Sequence, residues 1–396
     1  GWRRHSSPMR CRPCSPGAAG ATVAEARELL VVAGEASGDL HGGALLQALR
    51  RRAPDLAVAG VGGARMRAAR MAILADVSSL SAAGVVEILG SLRRHHRVMR
   101  LLKSRMDRQR PEAVVLIDYP GFNLMVAREA HRRGIPVFFY IAPQVWAWGR
   151  GRARRMAGFI DRLAVIFPFE EGLFNAHGRD FARYVGHPLL DEIQVTASAA
   201  DTRRRHGLDP ERPLLVLMPG SRRSEIRLLL PPLLAAAERL RRQGWQVVLL
   251  RASTIDPTLL ERQAGGPLPI PCIADDTVNL LHAADAGLVS SGTATLQAAL
   301  LGCPHVIVYR FNWLTHLLAR LVTRHRVLGL PNVVLGRMVF PELLQGRVNP
   351  GELVAALQGL LADRPRVEAA IAELRGRMGP PGASGRAADA LLELLP

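Results

Sequence analysis

Leu214-Leu215-Val216-Leu217-Met218-Pro219-Gly220-Ser221-Arg222-Arg223 is the stretch on which the fold turns. Five apolar residues read as a buried strand, Pro219-Gly220 as a tight turn, and Arg223 as the start of an amphipathic helix that runs to about 243. A second apolar run, 245–251, follows at once. Strand, helix and strand in that order imply a crossover, and a crossover joins parallel strands. Downstream come a polar connection holding Asp275 and Asp276, a short helix, a strand at Ala286–Ser290, a helix over 293–301 and a strand over 305–310. Gly302 and Pro304 supply a stop for that helix.

The same alternation precedes it. Strands are expected at Glu28–Ala33, 57–61, 113–118, 136–141, 162–167 and 181–185, and helices over 39–52, over 92–108 and from Asn123 onward. A polar stretch, 189–212, separates the two series. The expectation is an α/β chain of two doubly wound parallel sheets with a cleft between them, binding ligands at the carboxyl ends of the strands. The halves are set at 25–190 and 191–362. A helical tail, 363–396, has breaks at Pro365 and Gly379-Pro380-Pro381 and can pack back on the first half. Residues 1–24 have no apolar core of a signal peptide and read as a disordered extension or a wrongly assigned start.

Composition bounds the function. With 396 residues, 48% hydrophobic and 22% charged, the chain has core material for two domains. No window reaches the roughly 18 uninterrupted apolar residues of a spanning helix. The formal net charge of +18 comes mostly from arginine. It reads as a solvated basic surface or as a face for an anionic membrane. Nucleic acid is disfavoured, because aromatics are only 5% and no basic–aromatic motif is present. Cys11 and Cys14 form a lone C-x-x-C without the second pair of a zinc site. Cys272 and Cys303 are expected in core elements, as free thiols of a reducing compartment.

Chemistry is expected where strands end. After Glu28–Ala33 comes Gly34-Glu35-Ala36-Ser37-Gly38-Asp39, not G-x-G-x-x-G, so a dinucleotide site is poorly supported. Glu35 and Asp39 suit hydroxyl-rich ligands, or Asp39 caps its helix. Gly220, Ser221 and Arg222 form a pyrophosphate clamp in the making, with N–H donors, a hydroxyl and a guanidinium. Ser290-Ser291-Gly292-Thr293-Ala294-Thr295-Leu296-Gln297 repeats that design, with helix capping by Thr293 as the simpler reading. In Ile117-Asp118-Tyr119-Pro120-Gly121-Phe122-Asn123, Asp118 ends a strand, where a carboxylate takes a proton from an attacking hydroxyl or merely caps a turn. Trp146, in Pro143-Gln144-Val145-Trp146-Ala147-Trp148-Gly149, suits sugar stacking, an acyl contact or a folded-down core loop. Asn332, after Gly329-Leu330-Pro331, is a weaker candidate.

The order of these loops says more than any one of them. GEASGD, GVVEILG (84–90), IDYPGFN, PQVWAWG, GHPLLD (186–191), PGSRRSEI, SSGTATLQ and LPNVVLGR resemble the successive motifs of the lipid-A-disaccharide synthase family over about residues 28–345. The resemblance implies a GT-B fold of two Rossmann-like domains. It implies transfer of 2,3-diacylglucosamine from its UDP derivative to 2,3-diacylglucosamine 1-phosphate, giving a β-1,6 disaccharide and UDP. The donor is α-linked, so the anomeric centre inverts in one displacement, with no cofactor and no bound metal.

Carried over by motif, Asp118 matches the proposed general base, with Glu87 as a second candidate. Ser221, Arg222, Thr293 and Thr295 match diphosphate contacts, and Asn332 a donor-site polar residue. Glu35, Ser37 and Asp39 line the acceptor side, and Asn123 and Trp146 are counted with the substrate-binding residues. Gln297 stands where the family commonly has Glu, at the position expected to grip the ribose; it still donates and accepts hydrogen bonds, as a neutral group. Acylated substrates imply a cytoplasmic enzyme docked on the inner membrane. The basic helix over 92–108 and the amphipathic segment 313–326 (WLTHLLARLVTRHR) are the docking candidates, and the second is equally open to a core or homodimer role. The rivals are another GT-B UDP-N-acetylglucosamine transferase or epimerase and, outside enzymes, a nucleic-acid-binding protein.

Overall fold

The computed structural model describes Gly1 and residues 27–80, 87–146, 151–310 and 327–395. The expected extension with Cys11 and Cys14, the segment 313–326 and Trp148 lie outside the described residues.

Two parallel sheets carry the fold. The first has β1 (Glu28–Ala33), β2 (Ala57–Gly62), β3 (Ala72–Asp76), β4 (Ala113–Ile117), β5 (Val137–Tyr140), β6 (Arg162–Val165) and β7 (Ala182–Tyr184), in the order β3-β2-β1-β4-β5-β6-β7. The second has β8 (Leu214–Met218), β9 (Gln246–Leu250), β10 (Cys272–Ile273), β11 (Ala286–Ser290), β12 (His305–Tyr309) and β13 (Glu342–Leu344), in the order β10-β9-β8-β11-β12-β13. In each sheet the winding reverses beside the first strand, between β1 and β4 and between β8 and β11. Such a reversal opens a crevice at the carboxyl ends of the two strands. The register is tight there: Ala33 pairs with Ile117, and Val289 with Met218. The loops after β1, β4, β8 and β11 therefore emerge side by side, and they are the four main loops singled out in the sequence.

The central strands are apolar on both faces because helices cover both. Leu30, Val32, Val114 and Leu116 are packed on one side of the first sheet, and Leu29, Val31, Val115 and Ile117 on the other. The second of these cores runs on without a break into Leu296, Leu330, Leu374 and Leu391 of the later helices. Helix Ala383–Leu392 lies against helix Ala36–Arg52, and Arg52 holds Asp389 across the join. The Tyr184 hydroxyl donates to the Met378 carbonyl (2.7 Å), and Arg386 donates to the Val185 carbonyl (2.8 Å).

Helix Arg223–Arg241 holds Pro231 and Pro232 in its interior. Proline has no N–H, so Pro232 leaves the Leu228 carbonyl without its helical donor. Arg310 supplies one, 3.1 Å away, and ties the same guanidinium to Val348. Two expectations need correction. Helix Pro120–His131 begins ahead of Asn123, because Pro120 at its first position is already set for a helix. Cys272 is exposed, not in the core, because β10 is a two-residue strand on the sheet edge; Cys303 is buried.

Candidate active site

At the β1–β4 crevice the backbone itself is unusual. Asp118 and Tyr119 have φ of 49° and 48°, consecutive left-handed residues with side chains. Such a conformation persists only where neighbours enforce it, and it concentrates at functional sites. The enforcing contacts are on both sides. The Asp118 N–H donates to the Tyr140 carbonyl (2.9 Å). Asn123, fully buried, donates to the Asp118 carbonyl (2.8 Å) and the Ile117 carbonyl (3.2 Å). The Tyr119 hydroxyl donates to the Leu80 carbonyl (3.2 Å), with His95 Nε2 at 3.1 Å from it. The Tyr119 ring covers Gly34 so closely that a Cβ there would lie 2.1 Å from it. The loop after β1 thus needs glycine at 34 for the loop after β4 to close over it.

The Asp118 carboxyl is held half-buried by this arrangement. Burial raises its pKa above the ordinary aspartate value, the Glu35 charge pushes the same way, and a hydrogen bond from the Tyr119 backbone opposes them. A carboxylate made more basic at a crevice is the feature a general base needs. Glu35 and Ser37 are exposed at the start of helix Ala36–Arg52 beside it. Glu87 is the first residue of helix Glu87–Gln109.

Other candidates are engaged inside the protein. Asp39 is buried and accepts from the N–H groups of Gly63 (2.6 Å), Arg65 (3.0 Å) and Met66 (3.1 Å), so it caps helix Ala64–Ala68 and not its own. Trp146 is folded down: its Nε1 donates to Glu170 (3.2 Å), and its ring stands edge-on to Phe167 and Phe169. Asn332 is fully buried. Its amide donates to the Phe340 carbonyl (2.7 Å) and Glu342 (2.9 Å), and its oxygen accepts from Val339 (2.9 Å) and Phe340 (3.0 Å). Thr295 is buried and donates to the Gly292 carbonyl (2.7 Å) within its own first helical turn.

Glu170 was not singled out in the sequence. It is almost fully buried, and burial lifts its pKa from the ordinary 4.5 to about 7, against hydrogen bonds from Phe167 and Trp146. The folded state therefore holds this proton more tightly than the unfolded chain does. The sign follows: the Glu170 contribution to stability falls as pH rises from about 4.5 to 7, by roughly 3 kcal/mol across that window, and is level outside it. In Glu170→Gln that component of the pH dependence should vanish. Denaturant unfolding of the two proteins between pH 4 and about 8 checks it; parallel curves would show that Glu170 does not titrate there.

At the β8–β11 crevice lies a cleft of about 570 Å³, whose lining includes Ser221, Arg222, Ser290, Thr293, Gln297 and Glu192. Gly220 (φ 116°) and Gly292 (φ 141°) turn the two loops at its floor, in conformations that favour glycine. At the second loop, helix Thr293–Leu300 starts without any side-chain cap. Ser290, 3% exposed, borders this cleft, and its Oγ has no hydrogen-bond partner among the described residues. A helix start with no side-chain cap among the described residues, its positive end and an unpaired hydroxyl together suit an anion's oxygens. At the first loop the N–H groups of Ser221 and Arg222 are not free: both donate to Glu225 (2.9 and 3.2 Å). The sequence reading placed Ser290 in a phosphate-binding loop without singling it out, and did not single out Glu192 or Glu225. The only signal for Glu225 was its place three residues after Arg222, at the position from which a glutamate reaches back to a helix start.

The structure therefore gathers Ser221, Arg222, Thr293 and Gln297 in one cleft and sets Asp118, Glu35 and Ser37 at the other crevice. Asn123 and Thr295 brace the loops that carry them, while Asp39 holds the start of helix Ala64–Ala68 and Asn332 the turn before β13.

Known proteins resemble this chain over almost its whole length. The family described as lipid-A-disaccharide synthetase matches residues 29–377. The lipid-A-disaccharide synthase of Syntrophus aciditrophicus is 42% identical over 374 residues, covering 93% of this chain and 97% of that protein. That of Myxococcus xanthus is 40% identical over 374 residues, with the same two shares. Among solved structures, the calicheamicin glycosyltransferase CalG4 superposes with a TM-score of 0.60 at 18% identity, covering 93% of this chain and 98% of that one. UDP-GlcNAc 2-epimerase from Neisseria meningitidis, bound to UDP-GlcNAc, gives 0.60 at 11% identity, covering 92% and 98%. Those two likenesses speak for the fold alone, a GT-B pair of doubly wound domains. The matches in sequence speak for more: the chain belongs to the lipid-A-disaccharide synthase family, GT-B glycosyltransferases of lipid A biosynthesis.

Proposed function

We propose that the two crevices divide the reaction between them. The β8–β11 cleft holds the diphosphate of UDP-2,3-diacylglucosamine, and Asp118 activates 2,3-diacylglucosamine 1-phosphate at the β1–β4 end. The acceptor 6-hydroxyl gives its proton to the Asp118 carboxylate while its oxygen attacks the donor's anomeric carbon. The bond from that carbon to the β-phosphate oxygen breaks in the same step, and its electron pair leaves with UDP. One displacement turns an α-linked donor into a β-linked product. The open start of helix Thr293–Leu300, the Ser290 hydroxyl and the Arg222 guanidinium stabilise the charge that gathers on the leaving diphosphate. The observation that carries this reading is the contrast between the two sites: a half-buried carboxylate made more basic at one, a helix start without a side-chain cap beside an unpaired hydroxyl at the other, both among the described residues.

Among the described residues no helix is long and apolar enough to cross a membrane. The acylated substrates lie in one, so the chain docks on the cytoplasmic face of an anionic bilayer. Exposed Arg93, Arg97 and Arg100 on helix Glu87–Gln109 support that.

The test is incubation of the purified protein with both substrates on vesicles, read by mass analysis. Disaccharide 1-phosphate and UDP should appear in equal amounts, faster on anionic than on neutral vesicles at low salt. Failure to form the disaccharide sinks the assignment of substrates, and equal rates on both vesicles sink basic docking.

A further inference from the structure

The two loops that floor the donor cleft are built alike but left in different states. At the β11 loop the helix start is open. At the β8 loop one buried carboxylate has taken the donors. Glu225 Oε2 accepts from the N–H groups of Ser221 (2.9 Å) and Arg222 (3.2 Å), and Oε1 accepts from the Arg222 guanidinium (3.2 Å). The carboxylate is seated against Gly220, where a Cβ would lie 2.3 Å from Oε2. Glu225 is 7% exposed while the Arg222 side chain is 75% exposed, so the anion sits in the floor and the cation reaches out over it.

We propose that Glu225 is a built-in competitor for the diphosphate. It occupies three of the donors that Ser221 and Arg222 offer to the cleft, and it sets a negative charge beside them. A nucleoside diphosphate is then gripped at the open β11 loop, and reaches the β8 loop only in exchange for Glu225. The result is a clamp with one firm and one yielding jaw. It holds the donor's diphosphate through the displacement and still lets the more highly charged product UDP leave. This rests on the donor-site reading above.

Glu225→Gln keeps the size and one acceptor oxygen but removes the charge. Calorimetry on the full chain should show UDP bound roughly tenfold more tightly, as expected when a like charge leaves a partly buried anion site. Uridine, which has no phosphate, should bind unchanged. Turnover under multiple-turnover conditions should drop while the single-turnover rate holds, because UDP leaves more slowly. A glutamate that only caps its helix would lower stability and move neither the split between UDP and uridine nor that between the two rates. Unchanged or weakened UDP binding in the folded variant overturns the proposal. Should the variant fail to fold, amide NMR on the unaltered chain decides. UDP, and not uridine, should shift the Ser221 and Arg222 amide signals as Glu225 gives way, and identical responses to both ligands overturn it. Absence of UDP binding by the unaltered chain overturns the donor-site reading itself, and this proposal with it.

Discussion

Asp118→Asn is expected to lower turnover by about 10²–10⁴-fold, the usual contribution of a positioned general base, and to leave UDP affinity within about twofold. The substitution is a clean one for a physical reason. Asparagine tolerates the left-handed conformation better than other residues do, so φ of 49° at this position is no obstacle to it. The Asp118 N–H bond to Tyr140 and the bond from the Asn123 side-chain amide to the Asp118 carbonyl use only the backbone of residue 118 and survive the change. What disappears is the capacity to take a proton. Steady-state turnover with saturating donor and acceptor, set beside UDP calorimetry, separates the two quantities. Unimpaired turnover would remove Asp118 from the chemistry and move attention to Glu87.

Asn332→Ala is expected to cost on the order of 3–5 kcal/mol of stability, from several buried polar groups losing partners at about 1–3 kcal/mol each. The Asn332 side chain satisfies two N–H groups, Val339 and Phe340, and donates to one carbonyl and one carboxylate. Alanine leaves those groups in a site with no exposure and adds a small cavity. Glu342 loses a donor as well, though Leu328 and Gly329 still donate to it (2.8 and 2.9 Å). The loss should appear in denaturant unfolding, while UDP affinity of the folded protein stays near that of the parent. A large drop in UDP affinity with unaltered stability would return Asn332 to the ligand.

These two residues also show what could be seen in the sequence and what could not. The β-α-β rhythm gave away both sheets because the central strands are apolar on both faces and five or six residues long. Three strands at the sheet edges escaped: β3 (AILAD) is half-exposed, β10 has two residues and β13 three. The edge strand β7, also of three residues, was legible because buried Phe181 and Val185 flank it. The functional loops were legible because glycine, serine and threonine between a strand and a helix have few other uses. Which side chain in a loop faces a ligand was not legible. Asp39 and Asn123 look as suitable as Asp118 in the sequence. Yet Asp39 is consumed by backbone 24–27 residues away, and Asn123 reaches back to Val32 across the sheet. Such pairings are decided by the fold, not by neighbours in the chain. Gln297 lines the β8–β11 cleft, so its neutral amide is placed beside Ser221, Arg222 and Thr293.

The seating of helix Ala383–Leu392 on helix Ala36–Arg52 bears on how the protein is made. Arg52 and Asp389, which meet there, are 337 positions apart. At the pace of a ribosome this is a wait on the order of tens of seconds. Through that time the face around Leu45, Leu46 and Leu49 lacks the helix whose Ala387, Ala388 and Leu391 later cover it. The newborn chain therefore carries an apolar strip that stays uncovered until its last helix is made. Clipping the last helix from the finished protein would return the first domain to that exposed state.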